Sequence, residues 1–489
     1  MATAKKTAAK KAAAKKAVNS FPVAPATAPG SPAKYRVRVR MYRHGLGDCF
    51  LLTFPRKGKA APLQMLIDCG ALARDGAFMT GLVEHIHKTV APNGGKGRLD
   101  VVAATHEHKD HLSGFNQARE VFNTKFDFGA VWLGWTENLT KPEIEKIKSA
   151  KRKTAETLRA ALRLRGIGAA LGGVEEVLQF SAADDTTGSG TVAEALEYLK
   201  LRGTEAGALR YLEPGQAPLA LEGVDGVRVY VLGPPQDPIL LKGSEVTGKM
   251  KRDGVIYHLG ATGAVGLEAL GAAAGVEENG DGERFSPFAA EHRITRQSPY
   301  FANVAPFLGR TYDDPGQSWR QIETDWMQAF GQLALDLDSD TNNTSLVLAF
   351  EFEKTGEVLL FVGDAQVGNW LSWADVQFAV PGRAKPLPAH DLLNRTVFYK
   401  VGHHGSHNAT LKAGGLELMN RPGLVAFIPL DRATATAQRW DMPAGPLFGA
   451  LAQKTGKRVV VSDAKEALGE EAKAAGVRAT AAYVDYFLV

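Results

Sequence analysis

Two short runs rich in histidine limit what this chain can fold into, because each lies at the end of an apolar stretch typical of a buried strand. The first occupies residues 105–111 (THEHKDH) and follows 101–104 (VVAA). The second occupies residues 401–407 (VGHHGSH) and closes the apolar run 397–401. Together they hold six of the twelve histidines. Imidazole and carboxylate groups crowded at a strand end indicate a metal site.

The first run has the pattern His-x-His-x-Asp-His, made by His106, His108, Asp110 and His111. Residues i and i+2 of an extended segment point to the same side, so His106 and His108 can hold one ion together. If the chain then turns into a helix, Asp110 and His111 face a second point nearby. The run therefore predicts two adjacent metal ions, of the kind that activate water as hydroxide. The alternative is a polar loop that happens to contain histidine.

Further ligands have to come from distant parts of the sequence. Asp364 follows the apolar run 358–362 on a Gly-Asp turn, where its carboxylate could bridge two ions. His403 and His404 also end an apolar run. One of them could complete the shell of the second metal, and the other could orient substrate. The residues alone leave open which histidine has which role.

Short apolar runs that alternate with amphipathic stretches predict an α/β fold. Arg36, Arg38 and Arg40 alternate with apolar residues in the first predicted strand. This alternation predicts a half-buried strand with a solvated arginine face, and contact with a polyanion is the sharper alternative. Helices are predicted at 76–92 and 142–165. The predicted strands include 35–41, 49–54, 64–70, 100–105, 131–135, 227–232, 345–353, 357–362, 397–401, 424–429, 458–461 and 481–489.

The chain divides by composition into a basic tail and a nearly neutral body. Residues 1–34 contain seven lysines and no acidic residue, whereas the net charge of the whole chain is only +5. Such a segment cannot bury enough apolar surface to fold alone, so we predict a disordered Lys/Ala/Pro-rich tail. It could bind nucleic acid or another polyanion through its lysines, or it could only aid solubility. Residues 35–489 are predicted to form one domain, with an insertion at 236–320 that could act as a lid or an oligomer contact.

Several classes of protein are excluded by composition. The two cysteines, Cys49 and Cys69, cannot form a disulfide framework, which favours a reducing compartment. No run approaches the roughly 20 apolar residues of a membrane span, and no signal-peptide core is found. These features predict a cytoplasmic protein without a membrane partner. Oligomeric state cannot be inferred from them.

The complete set of motifs resembles the metallo-β-lactamase fold hydrolases, and within them the metallohydrolase domain of the competence protein ComEC and its stand-alone relatives. Besides the histidine runs and the Gly-Asp turn, that group has a Gly-x-Gly-Asp turn, an Asp-x-Gly strand end and an Asn-x-Ser-Leu-Val-Leu strand start. The chain matches these at 45–48, 68–70 and 343–348. The motifs span residues 42–407 in the right order.

The resemblance implies a four-layer αββα sandwich with a dinuclear zinc site, for which Mn²⁺ or Fe²⁺ could substitute. Asp364 would bridge the ions, and His403 is favoured over His404 as the last ligand. Many members have a further histidine before the bridging aspartate, but here Asn343 or a water has to fill that position. The implied metal ligands are therefore His106, His108, Asp110, His111, Asp364 and His403.

These residues predict a metal-dependent hydrolase that uses an activated hydroxide. Asp110 or Asp364 would orient the hydroxide, and His404 would act as a catalytic acid or electrostatic donor. Cleavage of phosphodiesters, as in a nuclease, is favoured because of the ComEC-like motifs and the basic tail. A second enzymatic prediction is hydrolysis of a small phosphoester, lactone, thioester or lactam. A non-enzymatic alternative is a DNA-associated binding protein with a degenerate metal site.

Overall fold

The chain divides into two compact units in the computed structural model. The first unit contains Met1–Thr140, Phe180–His258 and Ser339–Val489, and the second contains Lys141–Gln179 and Leu259–Asp338. All residues of the predicted site belong to the first unit. The residues that the structure describes are 20–58, 61–142, 144–146, 148–149, 152, 190–241, 299–311, 314, 338–438, 440–464 and 468–489.

Three predictions fall wholly or partly outside the described residues. These are residues 1–19 of the predicted tail, most of the predicted helix 142–165, and residues 242–298 of the predicted insertion. In the second unit the structure describes the helix Phe301–Arg310. No helix among the described residues is long and apolar enough to cross a membrane.

The first unit alternates strands and helices, and this confirms the predicted α/β class. Its described strands are β1 (Val37–Tyr42), β2 (Phe50–Phe54), β3 (Leu63–Ile67), β4 (Gly97–Leu99), β5 (Val101–Ala103), β6 (Phe126–Phe128), β7 (Val131–Gly134), β8 (Leu209–Leu212), β9 (Leu219–Leu221), β10 (Val224–Gly233), β11 (Val347–Phe352), β12 (Glu357–Phe361), β13 (Gln377–Phe378), β14 (Leu387–Pro388), β15 (Thr396–Lys400), β16 (Val425–Ile428), β17 (Val459–Val461), β18 (Val477–Ala479) and β19 (Tyr483–Leu488). Its described helices are α1 (Gly76–Val90), α2 (Lys109–Gln117), α3 (Arg119–Lys125), α4 (Val192–Glu205), α5 (Pro238–Leu241), α6 (Val367–Ser372), α7 (Ala389–Asn394), α8 (Arg432–Ala437), α9 (Gly445–Thr455) and α10 (Glu470–Ala474).

Most of the strands form two mixed sheets. The first has the order β18-β19-β1-β2-β3-β5-β7-β8, and the second has the order β17-β16-β15-β12-β11-β10-β9. In the first sheet β3, β5, β7 and β8 are parallel to one another, and in the second β12, β15, β16 and β17 are parallel. The remaining pairs in both sheets are antiparallel. Each sheet thus has one parallel half, and both parallel halves contribute to the site.

The two sheets share one hydrophobic core. Alternate residues of β1 and β2 (Val39, Met41 and Leu52) belong to the same buried cluster as alternate residues of β10 and β11 (Val229 and Phe350). Since side chains alternate between the faces of a strand, one face of each sheet is turned toward the other. Each large apolar side chain buried in this way contributes about 1.5–3 kcal/mol.

The opposite face of each sheet is covered by helices. A second cluster joins the outer face of the first sheet, for example Leu66, to Leu82 of α1 and Phe115 of α2. A third cluster joins the outer face of the second sheet to Trp370 of α6 and Leu451 of α9. The first unit is therefore layered as helices, sheet, sheet and helices.

The prediction of a solvated arginine face on β1 is wrong for two of its three arginines. Arg40 is fully buried and Arg38 nearly so. Arg40 lies opposite Asp485 in the β1–β19 pairing, and the two form an ion pair with 2.7 and 2.8 Å hydrogen bonds. Arg38 donates a 2.8 Å hydrogen bond to Thr53 of β2. Arg40 also donates hydrogen bonds to Thr89 of α1 and to the carbonyl of Ala26, so this face of β1 is covered and the strand is buried on both faces.

Residues 20–34, which the sequence places in the tail, pack on the first unit. The ring of Phe21 is buried against Phe78 of α1, with centroids 5.6 Å apart. The carbonyl of Pro25 accepts a 2.7 Å hydrogen bond from Tyr483, and that of Ala26 accepts a 2.8 Å bond from Arg40. The described segment from residue 20 is therefore packed well before Tyr35, because one aromatic ring contacts α1 and two backbone carbonyls accept hydrogen bonds from β19 and β1.

Candidate metal centre

The predicted site lies where four parallel strands end. β3 and β5 are parallel neighbours in the first sheet, and β12 and β15 are parallel neighbours in the second. Asp68 follows β3, and the first histidine run follows β5. Asp364 follows β12, and the second histidine run follows β15. The polar residues that each strand delivers are buried at these carboxyl ends.

His106 and His108 point two ring nitrogens at each other, as the spacing predicts for residues that share one ion. Nε2 of His106 lies 3.0 Å from Nδ1 of His108, and both side chains are buried. Burial lowers the pKa of His108 to about 4 and that of His106 well below its usual value. Both imidazoles are therefore neutral at pH 7, which is the form that binds metal.

Asp110, His111, Asp364 and His404 form a second, tighter group. One ligand atom from each lies within 4.8 Å of the others. Nε2 of His111 lies 3.1 Å from Oδ2 of Asp364 and 3.6 Å from Oδ2 of Asp110. Nε2 of His404 lies 2.8 Å from Oδ2 of Asp110 and 3.9 Å from Oδ2 of Asp364. Two imidazoles and two carboxylates thus converge on one point, which is a donor set suited to a divalent cation.

One atom of this group lacks the hydrogen bond that a buried polar atom normally makes. Oδ1 of Asp110 is buried and has no hydrogen-bond partner among the described residues. Leaving a buried polar group unpaired costs about 1–3 kcal/mol, and more for a charged one. A cation bound at the group would bring water ligands that satisfy this oxygen, so the residues present fit such an ion.

The second histidine run differs from the sequence-based assignment. Nδ1 of His404 lies 2.6 Å from the carbonyl of Pro429, to which it can donate its proton, and Nε2 faces Oδ2 of Asp110 at 2.8 Å, so that Nε2 is free to bind a metal once it has lost its own proton. His403 is absent from the group of four, and its Nδ1 lies 3.2 Å from the side-chain nitrogen of Gln366. The geometry therefore favours His404 as the ligand, whereas the resemblance favoured His403. Both residues have positive φ, 40° and 52°, a local geometry that spacing cannot predict.

Asp68 holds His111 in its orientation. Oδ2 of Asp68 lies 2.8 Å from Nδ1 of His111, and the backbone and hydroxyl of Thr105 donate hydrogen bonds of 2.8 and 2.7 Å to the same carboxylate. Because Nδ1–H of His111 donates a hydrogen bond to Asp68, the ring presents Nε2 to Asp364. A carboxylate in this position fixes the tautomer of a ligating histidine. The sequence signal was the Asp-x-Gly motif at 68–70, to which no role had been assigned.

Lys400 and Asp48 bring a buried ion pair to the same place. Lys400, the last residue of β15, is 1% exposed, and its ammonium group contacts Asp48 and Asp364. Burial raises the pKa of Asp48 to about 6, although Lys400 opposes this shift. Burial lowers the pKa of Lys400, but the two carboxylates outweigh it and leave the pKa above its usual value. Neither residue was expected at the site.

Polar side chains that precede β11 lie beside the histidine pair. The hydroxyl of Ser345 accepts a 3.0 Å hydrogen bond from the backbone of Asp364 and lies 3.3 Å from Nδ1 of His106. The side-chain oxygen of Asn343 accepts a 3.1 Å hydrogen bond from the backbone of Asn369. The side-chain oxygen of Asn343 therefore contacts the first turn of α6. The resemblance had implied that this oxygen completes the first metal site.

The group of four carries strong opposing charges. Burial lowers the pKa of His111, but Asp364, Asp110 and other nearby carboxylates outweigh it and raise that pKa well above its usual value. Burial raises the pKa of Asp364, but His111 and Lys400 outweigh it and hold that pKa well below its usual value. Both Asp364 and Asp110, whose pKa is also lowered, are therefore ionised at pH 7. Since the pKa of His111 is raised, a bound cation has to displace its Nε2 proton, and metal affinity at this group therefore rises with pH.

Comparisons with known proteins do not assign the chain to a family. No protein-family model matches it, and no curated protein is similar enough to count as a match. The function has to be inferred from the residues of the site and their geometry.

Proposed function

We propose that this protein is a metal-dependent hydrolase of the metallo-β-lactamase fold, related to the ComEC-like group. The observation that carries the proposal is the buried convergence of Asp110, His111, Asp364 and His404 beside the paired nitrogens of His106 and His108. Two mixed sheets with helices on their outer faces are compatible with the αββα sandwich of that fold.

Two divalent cations, Zn²⁺ in the first instance, are the cofactors that this arrangement would hold. The first would bind between Nε2 of His106 and Nδ1 of His108. The second would be held by Asp110, His111, Asp364 and His404. Cations bound here supply Lewis acidity and lower the pKa of water.

Asp110 is the residue that we expect to handle the proton of the attacking water. Its Oδ2 contacts His404, but its Oδ1 is buried without a hydrogen-bond partner among the described residues. With Oδ2 facing the imidazoles of the group, Oδ1 would accept a proton when water attacks phosphorus and the bond to the leaving oxygen breaks. A carboxylate positioned in this way contributes typically 10²–10⁴-fold to the rate.

His403 is placed to orient the substrate rather than to bind metal. It is 8% exposed, whereas His404 is fully buried, so its ring is nearer to solvent. Burial lowers its pKa to about 4, and the ring is therefore neutral at pH 7. A neutral imidazole can donate a hydrogen bond to a phosphoryl oxygen without adding charge.

Phosphodiesters, including DNA or RNA, are the substrates that we favour. The lysine-rich residues 1–19 would retain a polyanion near the enzyme, since each lysine at a phosphate releases bound counterions. The nearly neutral body also suits a small uncharged ester, lactone, thioester or lactam, and these compounds are the competing substrates in the test below.

The test is hydrolysis by the full chain loaded with Zn²⁺ or Mn²⁺. Single-stranded DNA, RNA and bis(p-nitrophenyl) phosphate would be compared with a lactone, a thioester and a cephalosporin. We expect cleavage of the phosphodiesters and at least a hundredfold loss in Asp110→Asn, with no loss in the exposed control Asp127→Asn. Turnover of the lactone, thioester or cephalosporin, without cleavage of any phosphodiester, would show that the substrates belong to that second class. DNA binding without turnover of any compound would favour a binding protein with a degenerate site.

A further inference from the structure

Lys400 is a fully buried cation in direct contact with the proposed metal centre. Its ammonium group donates a 2.7 Å hydrogen bond to the carbonyl of Gly363 and a 3.1 Å bond to Oδ1 of Asp364. It also forms an ion pair with Oδ2 of Asp48. Lysine is almost never fully buried unless it is paired, and here both of its charged partners belong to the site.

The two oxygens of Asp364 have different partners because of this lysine. Oδ1 accepts hydrogen bonds from Lys400 and, at 2.9 Å, from the backbone of His403. Oδ2 is turned toward the imidazoles, 3.1 Å from His111 and 3.9 Å from His404. Only Oδ2 is directed at the metal position. The backbone amide of His403 would keep this orientation even without Lys400, so the particular contribution of the lysine is its charge.

Asp48 is held in place by the turn that precedes it. Gly47 has φ of 147°, and a side chain at this position would clash with the backbone of Gly70 and Asp110. The backbone N–H of Asp48 donates a 2.9 Å hydrogen bond to the carbonyl of Asp110. The turn is thus fixed against the start of α2, and its carboxylate faces Lys400 across the site.

We infer that Lys400 serves as the resident cation of this centre. It compensates the charge of Asp364 and Asp48 in the metal-free protein, and it opposes the binding of a further cation. The inference rests on the proposed metal centre. Removal of Lys400 leaves two buried carboxylates without compensation, so the metal-free protein loses stability and binds a divalent cation more tightly.

The experiment measures unfolding temperature and Zn²⁺ affinity for chelator-treated full-length protein, with Zn²⁺ alone as the probe. In Lys400→Met we expect a lower unfolding temperature without metal, a larger rise on addition of Zn²⁺ than in the wild type, and affinity about tenfold tighter or more. The exposed control Lys385→Met should behave as the wild type. If Lys400 were purely structural, Lys400→Met would lower the unfolding temperature equally with and without Zn²⁺ and would leave the Zn²⁺ affinity unchanged.

Asp48→Asn provides a second test that does not require Lys400→Met to fold. It leaves the charge of Lys400 less compensated, so we expect Zn²⁺ to bind more weakly than in the wild type, and the double variant to return toward wild-type affinity. Equal Zn²⁺ affinity in the wild type and Asp48→Asn would overturn the inference, and so would weaker binding in Lys400→Met. If Zn²⁺ does not stabilise even the wild type, it is the proposed metal centre that fails.

Discussion

Nε2 of His404 lies 2.8 Å from Oδ2 of Asp110, although 294 residues separate them in the chain. Asp110 belongs to the first turn of α2 beside the first sheet, whereas His404 follows β15 of the second. The proposed second metal position therefore forms only when both sheets have folded and packed together. Because such a site does not exist in the unfolded chain, the free energy of metal binding adds to the free energy of unfolding.

Substitution of the paired histidines should separate metal binding from turnover. We expect His404→Ala to lose one bound Zn²⁺ per chain and all activity, because Nε2 of His404 faces Asp110. His403→Ala should keep its metal and lose activity, because its ring is outside the group of four. The measurement is metal content by mass spectrometry beside turnover of bis(p-nitrophenyl) phosphate.

The reverse result, with metal lost from His403→Ala and kept in His404→Ala, would restore the assignment that the family resemblance favoured. His407→Ala is a suitable control, because this histidine belongs to the same run but not to the group of four.

The parts of the site that depend on local geometry could be predicted from the sequence. His106 and His108 converge as spacing i and i+2 requires, and Asp110 and His111 lie in the first turn of α2, where they join Asp364 and His404. The α/β class was likewise predictable, because apolar runs and turn residues mark most strands. The choice between His403 and His404 was not, since it depends on two consecutive positive φ angles.

The remaining features depend on contacts between distant residues. Lys400 looks like an ordinary residue near the end of a strand, and only the folded chain places Asp48 and Asp364 beside it. Arg40 looks exposed from its alternation, because the sequence does not show that β19 supplies Asp485 opposite it. Pairings of this kind could be found only through the tertiary structure.

Asp68 should be required for the metal centre although it is not a proposed ligand. In Asp68→Asn the hydrogen bond that holds Nδ1 of His111 is weakened, and His111 can adopt the wrong tautomer. We expect Zn²⁺ affinity to fall by about 10–100-fold, as is typical for such supporting carboxylates. The measurement is competition with a chelator, with exposed Asp225→Asn as the control. Unchanged affinity would show that Thr105 and the backbone orient His111 by themselves.

The buried Arg40–Asp485 pair should behave as a unit. Arg40→Met leaves a buried carboxylate without its partner, which costs about 3–5 kcal/mol of unfolding free energy. The double variant Arg40→Met/Asp485→Leu removes both charges and should recover much of that loss. Urea denaturation of the wild type, the two single variants Arg40→Met and Asp485→Leu, and the double variant gives the coupling free energy between the two residues. Additive effects would mean that the pair contributes no specific interaction.

His85 should make the protein less stable in mild acid. Its ring packs against Phe21, Tyr42 and Tyr483, and burial, together with nearby Arg40, lowers its pKa from 6.5 to about 4. The unfolded chain therefore binds a proton more readily than the folded one. The stabilisation that depends on neutral His85 is fully present above pH 6.5 and is lost as the pH falls toward 4. The free energy of unfolding decreases by at most about 1.4 kcal/mol per pH unit in this range.

Comparison of wild type with His85→Leu isolates this contribution. The difference in unfolding free energy between the two proteins should be constant above pH 6.5 and should shift in favour of the variant between pH 6.5 and 4. His87→Leu, on the same helix, provides the matched control. A difference that does not change with pH would mean that His85 can be protonated without cost in the folded protein.

Two truncations should distinguish the lysine-rich segment from the segment that follows it. Deletion of residues 1–19 removes six of the seven lysines before residue 35, so we expect weaker and less salt-dependent binding of DNA with no change in unfolding temperature. Deletion of residues 1–34 also removes Phe21 and the carbonyls that accept from Tyr483 and Arg40, so it should lower the unfolding temperature as well. Binding is measured by fluorescence anisotropy at two salt concentrations. If the shorter deletion leaves DNA affinity and its salt dependence unchanged, the lysines only aid solubility, and any nucleic-acid binding has to come from the folded body.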